Sequence, residues 1–169
     1  PGDFYIDPWR GVERAVITHA HGDHARWGSR QYFCTASGEA LIHLRLGEVN
    51  TQTYAYGEAF EINGVRVSFH SAGHILGSAQ VRLEYQGDVW VFTGDYKRAP
   101  DPSCEPFEVV PCNTLVTEAT FALPVYSWPA GQTVAGDIYR WWQHNAELGQ
   151  TSVLLCYSLG KTQRILAEL

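Results

Sequence analysis

The 169-residue sequence contains no methionine, no C-x-x-C pair among its four cysteines and no apolar run long enough to span a membrane. Because a natural start is missing and residues 161–169 have the pattern of an interrupted helix, we expect a piece of a longer protein. The scattered cysteines do not form a disulfide framework, which favours a reduced, cytoplasmic setting. The N-terminus also lacks the basic and apolar pattern of a signal peptide.

Positive charge is scarce as well. Twelve lysines and arginines against 18 acidic residues give a formal net charge of −6 at pH 7. This balance argues against a protein that coats nucleic acid through a basic surface. It does not exclude a metal-dependent nuclease, because bound cations supply local positive charge that a residue count omits.

Hydrophobic patterning predicts short strands in the first half and mixed α/β order in the second. Asn63-Gly64 predicts a type I′ hairpin turn, and residues 86–88 predict the connection of a second hairpin. Helices are predicted over 37–46 and 133–148, and the change in pattern near residue 119 indicates an inserted second domain. The predicted strands are 4–7, 15–18, 31–35, 59–62, 65–70, 80–85, 89–93, 114–117 and 152–156.

Metal-binding residue types concentrate directly after the second predicted strand, in the run from Thr18 to His24. Residues i and i+2 of an extended chain point to the same side, so His19 and His21 can share one metal ion. The glycine that follows permits a sharp turn, after which Asp23 and His24 can face a second ion. Imidazole and carboxylate are suitable ligands for Zn²⁺ or Mn²⁺. A histidine-rich loop without metal is disfavoured, because burying unliganded imidazoles and carboxylates costs free energy.

Three more candidates occupy similar positions farther along the chain. Asp7 and Asp95 each follow an apolar strand, and His74 lies in the glycine-flanked loop 71–78. Ligands at the ends of separate strands can converge on one edge of a sheet. Taken singly, each has a simpler explanation, such as an aspartate that stabilises a turn.

The ordered set of Asp7, the histidine cluster, His74 and Asp95 resembles the first four motifs of the metallo-β-lactamase fold. Residues 117–121 (Thr-Glu-Ala-Thr-Phe) resemble the first motif of its β-CASP nucleic-acid-processing branch, and residues 157–164 are similar to the strand-to-helix segment early in the β-CASP insertion. Segments 2–9 and 72–80 look most similar to the bacterial ligase-associated DNA exonucleases. These are relatives of the DNA cross-link repair nucleases and of the mRNA 3′-end-processing endonuclease.

The resemblance implies an α/β fold. Residues 1–118 would form the N-terminal portion of a metallo-β-lactamase αββα sandwich, and residues 119–169 the truncated start of an inserted β-CASP α/β domain. It implies a metal-dependent DNA nuclease, a repair exonuclease, in which two divalent ions activate the attacking water. The implied partners are a nucleic acid substrate, with DNA favoured over RNA, and a DNA ligase or helicase repair system, with no membrane.

The resemblance also implies a role for each candidate residue. One ion would be held by His19, His21 and His74. The other would be held by Asp23 and His24, with Asp95 bridging both. The implied catalytic carboxylates are Asp23, Asp95 and Glu118. Asp7 and Glu118 would support ligands from behind, and Lys97 and Arg98 would contact a substrate phosphate, although a solvated charged pair explains them equally well. The later β-CASP motifs are missing, so the second ion lacks one expected ligand.

Two alternatives stay open, an RNA-processing nuclease of the same family and a small-molecule hydrolase of the same fold. The segment after residue 119 disfavours the second, because a small substrate needs no second domain that clamps a polymer. A P-loop nucleotide binder is excluded by spacing, since that motif requires glycine where Leu155 stands. A scaffold that has lost its site is disfavoured, because every ligand that this piece could contain is present.

Overall fold

The computed structural model describes residues 1–169, which divide into two units, Pro1–Glu118 and Ala119–Leu169. The first unit contains nine strands, one helix (α1) and a 3-10 turn at Ala36–Gly38. The second contains helices α2 (Gly131–Glu147) and α3 (Lys161–Glu168). The elements of the first unit are β1 Tyr5–Ile6, β2 Arg14–Val16, β3 Gln31–Thr35, α1 Glu39–Leu46, β4 Thr51–Tyr54, β5 Ala59–Ile62, β6 Val65–Ser71, β7 Ala79–Tyr85, β8 Asp88–Phe92 and β9 Thr114–Val116.

The first sheet is wholly parallel, in the order β1-β2-β3-β4. Its interior strands are short apolar runs, as parallel strands buried on both faces usually are. β3 shows this most clearly, because only its first residue is not fully buried. The edge strand β4 was not predicted, since its sequence Thr-Gln-Thr-Tyr has little hydrophobic character and becomes a strand only by pairing with β3.

The second sheet has the order β5-β6-β7-β8-β9 and is antiparallel except for the β8–β9 pair. The predicted hairpin at Asn63-Gly64 is confirmed, with φ angles of 47° and 80° that fit a type I′ turn. The second hairpin is one residue tighter than predicted. Asp88 pairs with Tyr85, which leaves Gln86 and Gly87 as a two-residue turn.

The two sheets face each other across an apolar core. Val16 and Phe33 from the first sheet pack with Val67, Phe69 and Val81 from the second. Burying an aliphatic or aromatic side chain of this size stabilises a fold by about 1.5–3 kcal/mol. The packed sheets hold the strand ends in fixed positions, and the candidate residues lie at those ends.

The prediction of a strand over 152–156 is wrong. Residues 151–157 have no regular secondary structure, and Leu155 is 94% exposed. The apolar run is typical of a buried strand, but a strand needs a neighbour to pair with its backbone groups, and the second unit contains no other strand. None of the helices combines the length and hydropathy that crossing a membrane requires.

Gly64 allows a test of the hairpin turn. Its φ is 80°, and a Cβ added there would meet no other atom within 4 Å. We therefore expect Gly64→Ala to lower the free energy of unfolding by roughly 1–2 kcal/mol, the cost of a left-handed conformation for a residue with a Cβ. Urea denaturation followed by circular dichroism measures the change. An unchanged unfolding free energy would contradict this account of the turn.

Candidate metal centre

The candidate residues lie at one edge of the two facing sheets. Asp7 directly follows β1, and Asp95 comes three residues after β8. The cluster from His19 to His24 begins after β2, and His74 lies in the loop that connects β6 to β7. A hydrogen bond from the Asp7 amide to the Val16 carbonyl, 2.9 Å long, aligns the ends of β1 and β2. Segments distant in sequence therefore meet at one place.

Four side chains form a tight group at this edge, namely His19, His21, His74 and Asp95. One ligand atom from each lies within 4.8 Å of the ligand atoms of the others. The Nδ1 atom of His21 is 3.0 Å from Nε2 of His19 and 3.3 Å from Nε2 of His74. The Oδ2 atom of Asp95 is 3.8 Å from Nε2 of His19 and 3.7 Å from Nε2 of His74.

These separations fit a tetrahedral metal site. A tetrahedron with metal–nitrogen bonds of the length usual for zinc places its ligands about 3.3 Å apart. The four measured distances, 3.0, 3.3, 3.7 and 3.8 Å, lie on both sides of that value. Three imidazole nitrogens and one carboxylate oxygen are also the donor types that a divalent transition metal prefers. The group can therefore bind a divalent metal ion.

Asp95 faces a second set of donors with its other oxygen. Its Oδ1 is 3.4 Å from Nε2 of His24, and that nitrogen is 3.8 Å from Oδ2 of Asp23. Asp23 is largely exposed, so this set opens toward solvent. The two oxygens of one carboxylate thus point at two adjacent groups of ligand atoms.

Asp7 determines which nitrogens of two histidines carry protons. Its Oδ1 accepts from the Thr18 amide at 2.8 Å, while its Oδ2 accepts from the Thr18 hydroxyl at 2.6 Å and from Nδ1 of His24 at 2.7 Å. Because the Thr18 hydroxyl donates to Asp7, it accepts from Nδ1 of His19, 3.0 Å away. In its neutral form, each of the two imidazoles therefore keeps its proton on Nδ1, and Nε2 is the nitrogen that faces the site.

Burial and neighbouring charges shift the pKa values of the histidines in the cluster. Burial, followed by the charges of His24, His74 and His21, lowers the pKa of His19 to about 2, so His19 stays neutral. Burial also lowers the pKa of His74, against the opposing carboxylates of Asp95 and Glu118. A neutral imidazole is the form that binds a metal ion.

His24 and Asp95 form the charged part of the site. Burial acts to lower the pKa of His24, but hydrogen bonds to Asp7 and Asp95 outweigh it and raise that pKa to about 10. The hydrogen bond to His24 is the main cause that lowers the pKa of Asp95, to about 2. Asp95 is thus a carboxylate over the whole physiological pH range, with both oxygens available as acceptors.

Ser78, which was not among the predicted site residues, fixes the loop that carries His74. Its hydroxyl accepts from the amides of His74 at 3.0 Å and Ile75 at 3.2 Å, and the side chain is almost fully buried. Its carbonyl accepts from the Ala72 amide and from the Tyr56 hydroxyl. Thr18 was missed in the same way. Its position immediately before the histidines was the only available signal, since its partner Asp7 is distant in sequence.

The remaining predicted residues are outside the group of His19, His21, His74 and Asp95. Glu118 follows β9 and lines a cavity of about 760 Å³ that also reaches His24 and Asp95. Away from these polar groups, the wall of that cavity is mostly apolar. The Nζ atom of Lys97 forms an ion pair with Asp101 at 2.6 Å, whereas Arg98 is exposed.

Sequence comparison links the chain to nucleases and to a ligase. It is 31% identical over 169 residues to "Probable DNA ligase" of Opitutus terrae, covering 98% of this chain and 16% of that protein. It is 24% identical over 181 residues to "RNase J-like protein" of Methanocaldococcus jannaschii, covering 93% and 43% respectively. It is 31% identical over 166 residues to "Endoribonuclease YSH1" of Yarrowia lipolytica, covering 90% and 19%. The chain therefore spans less than half the length of these relatives.

Structural comparison finds the same architecture in more distant proteins. A protein of unknown function from Enterococcus faecalis V583 superposes with a TM-score of 0.53 at 9% identity, over 78% of this chain and 39% of that one. No protein-family model matches the chain. The two facing sheets, the ligand cluster at their edge and the similarity to these relatives agree with one another. The fold is that of the metallo-β-lactamase superfamily, and the sequence is similar to proteins of its β-CASP branch.

Proposed function

We propose that this protein is a metal-dependent nuclease that hydrolyses phosphodiester bonds of DNA at a site for two divalent ions, Zn²⁺ or Mn²⁺. The observation that carries the proposal is the orientation of Asp95, whose Oδ1 faces His24 and whose Oδ2 faces His19 and His74. A carboxylate between two groups of ligand atoms can bridge the two ions of a two-metal hydrolytic site. The predicted β-CASP domain beginning at residue 119 would help to hold the polymer.

The residues would have different roles in such a site. Bound divalent ions would lower the pKa of a water molecule to near 7 and neutralise charge on the phosphate. His19, His21 and His74 would hold one ion, Asp23 and His24 the other, and Asp95 both. Asp7 keeps the Nε2 atoms of His19 and His24 directed into the site through the contacts described above.

Three further residues have proposed roles, one toward a metal ligand and two toward the substrate. Glu118 would support a ligand from the end of β9, since its charge already acts on His74. Arg98 is exposed, so its guanidinium is available to a substrate phosphate. Lys97 would reach a phosphate only by leaving its ion pair with Asp101.

DNA is the proposed polymer, and RNA is the second candidate. The relative named as a DNA ligase favours DNA and a link to strand repair. The relatives named as ribonucleases favour RNA. We propose DNA exonuclease activity because segments 2–9 and 72–80 resemble the ligase-associated DNA exonucleases. The four cysteines are free, which fits the cytoplasmic location proposed here.

The direct test compares DNA and RNA strands of equal sequence, labelled at either end, incubated with full-length protein and Mn²⁺ or Zn²⁺. We expect stepwise shortening of the DNA, complete loss of activity with EDTA, and two ions per chain by metal analysis. Cleavage of RNA alone would replace DNA with RNA in the proposal. Hydrolysis of neither polymer by the metal-loaded protein would overturn it.

A further inference from the structure

We propose that Trp9, Arg26 and Trp27 form a binding platform for unpaired nucleotides beside the metal centre, with bases stacking on the indole rings. The inference rests on the proposed nuclease function and adds to it the part of the protein that holds the strand and the form of strand that it accepts. Trp9, Arg26 and Trp27 are called the platform below.

The platform exposes aromatic rings together with a positive charge. Trp9 is 78% exposed and Trp27 is 76% exposed. The guanidinium carbon of Arg26 lies 4.3 Å from the centre of the Trp9 ring, within the range of a cation–π contact. The guanidinium lies against one face of Trp9 and leaves the rest of the ring in solvent. An exposed indole beside a guanidinium provides a stacking surface for a base and a charge for a phosphate.

The platform residues lie in two chain segments, and each segment closely follows a residue of the metal site. Trp9 lies two positions after Asp7, and Arg26 lies two positions after His24. Asp7 and His24 are hydrogen-bonded to each other at 2.7 Å. A nucleotide stacked on the platform would therefore have a defined position relative to the ligand atoms.

Further contacts hold the two segments in place. Gly11 and Gly28 approach so closely that a Cβ on Gly11 would lie 2.3 Å from the Gly28 carbonyl oxygen. The Tyr32 hydroxyl donates to the Arg26 carbonyl at 3.0 Å and accepts from the Ser29 amide at 2.9 Å. These contacts order the segments before a strand binds, which reduces the entropy lost on binding.

The charge next to the ligand cluster is suited to a phosphate backbone. Nε of Arg26 donates to the Asp23 carbonyl at 3.3 Å, and Nε of Arg45 donates to the Ala20 carbonyl at 3.2 Å. Neither guanidinium has a carboxylate partner, in contrast to Arg14 and Arg30, which form ion pairs with acidic residues. In a chain with a net charge of −6, two unpaired arginines at the metal loop concentrate positive charge where a phosphate would lie.

Unpaired nucleotides are the ligand that this surface fits. Bases inside a duplex are already stacked on each other and cannot stack on a protein ring, whereas bases of a single strand or frayed end can. Stacking uses the face that every base has, so it does not depend on sequence. The platform therefore predicts a preference for single-stranded ends, in either DNA or RNA.

Strand binding without hydrolysis tests the platform. Fluorescein-labelled single strands of DNA and of RNA, a blunt duplex and a single strand with abasic sites are titrated with full-length protein in EDTA, followed by anisotropy. We expect Trp9→Ala and Trp27→Ala each to weaken single-strand binding about tenfold, a typical contribution of one base–aromatic stack. Trp9→Phe should retain most of the affinity. Binding to the abasic strand should be weak and insensitive to these variants.

Val109→Ala is the control. Val109 is 81% exposed and does not line the cavity that reaches His24 and Asp95. Its removal should leave strand binding unchanged. If Trp9→Ala and Trp27→Ala bind single strands as tightly as the wild type, or if the abasic strand responds as the intact strand does, the platform proposal is overturned.

A small substrate separates this proposal from the proposed function. Bis(p-nitrophenyl) phosphate contains a phosphodiester bond but no base, so platform variants should hydrolyse it at the wild-type rate. Wild-type hydrolysis of it together with normal strand binding by the variants would overturn the platform and leave the nuclease standing. Weakened strand binding by the variants, in a wild type that hydrolyses no phosphodiester, would support the platform and overturn the nuclease.

Discussion

Asp95→Asn is expected to lower kcat for phosphodiester hydrolysis by about a thousandfold or more, since metal-assisted charge stabilisation contributes several kcal/mol to such a reaction. The carboxylate faces His24 with one oxygen and His19 and His74 with the other. Asparagine replaces one of these oxygens with an amide nitrogen, which cannot act as a ligand. It also removes the negative charge that the hydrogen bond to His24 stabilises. One of the two groups of donors therefore loses its shared ligand.

Activity and metal content are measured together for this variant. We expect fewer than two ions per chain, with the thermal unfolding midpoint of the metal-free protein close to that of the wild type. Asp3→Asn is the matched control, because Asp3 is an exposed aspartate that does not line the cavity that reaches Asp95. Near-normal turnover by Asp95→Asn would rule out a bridging role for this carboxylate.

Asp7→Asn is expected to weaken metal binding by about 10- to 100-fold, the usual effect of removing a hydrogen-bond partner behind a ligand histidine. Asp7 accepts from the Thr18 amide, the Thr18 hydroxyl and His24 Nδ1. An asparagine has one oxygen for these donors, and its amide group would be directed at at least one of them. The imidazole of His24 would then favour the proton on Nε2, where it blocks coordination.

Isothermal titration of the metal-free protein with Zn²⁺ measures this loss of affinity. The variant should still fold, because the polar network around Asp7 lies at the sheet edge and is separate from the apolar core. Asp3→Asn is the control. Asp3 is exposed, and its carboxylate contacts only Arg14, at 3.4 Å. Equal zinc affinity in Asp7→Asn and the wild type would show that Asp7 does not set the protonation of these histidines.

Local sequence signals predicted the parts of the structure that depend on neighbouring residues. Asn63-Gly64 determined a hairpin turn because few residue pairs adopt positive φ angles at low cost. Prediction failed where the structure depends on residues that are distant in the sequence. Residues 152–156 have the composition of a strand, yet no strand lies beside them in the second unit, and β4 forms only because β3 pairs with it.

For the candidate site, the sequence by itself determined which residue types are available and that two of the histidines are spaced to share an ion. The tertiary structure decided which of these residues meet. His21 and His74 are 53 positions apart, yet their nitrogens are 3.3 Å from each other. Only the fold showed that Asp7 acts through Thr18, and that Lys97 is paired with Asp101. Spacing along a chain fixes distances within one strand or turn, whereas contacts between strand ends depend on how the two sheets pack.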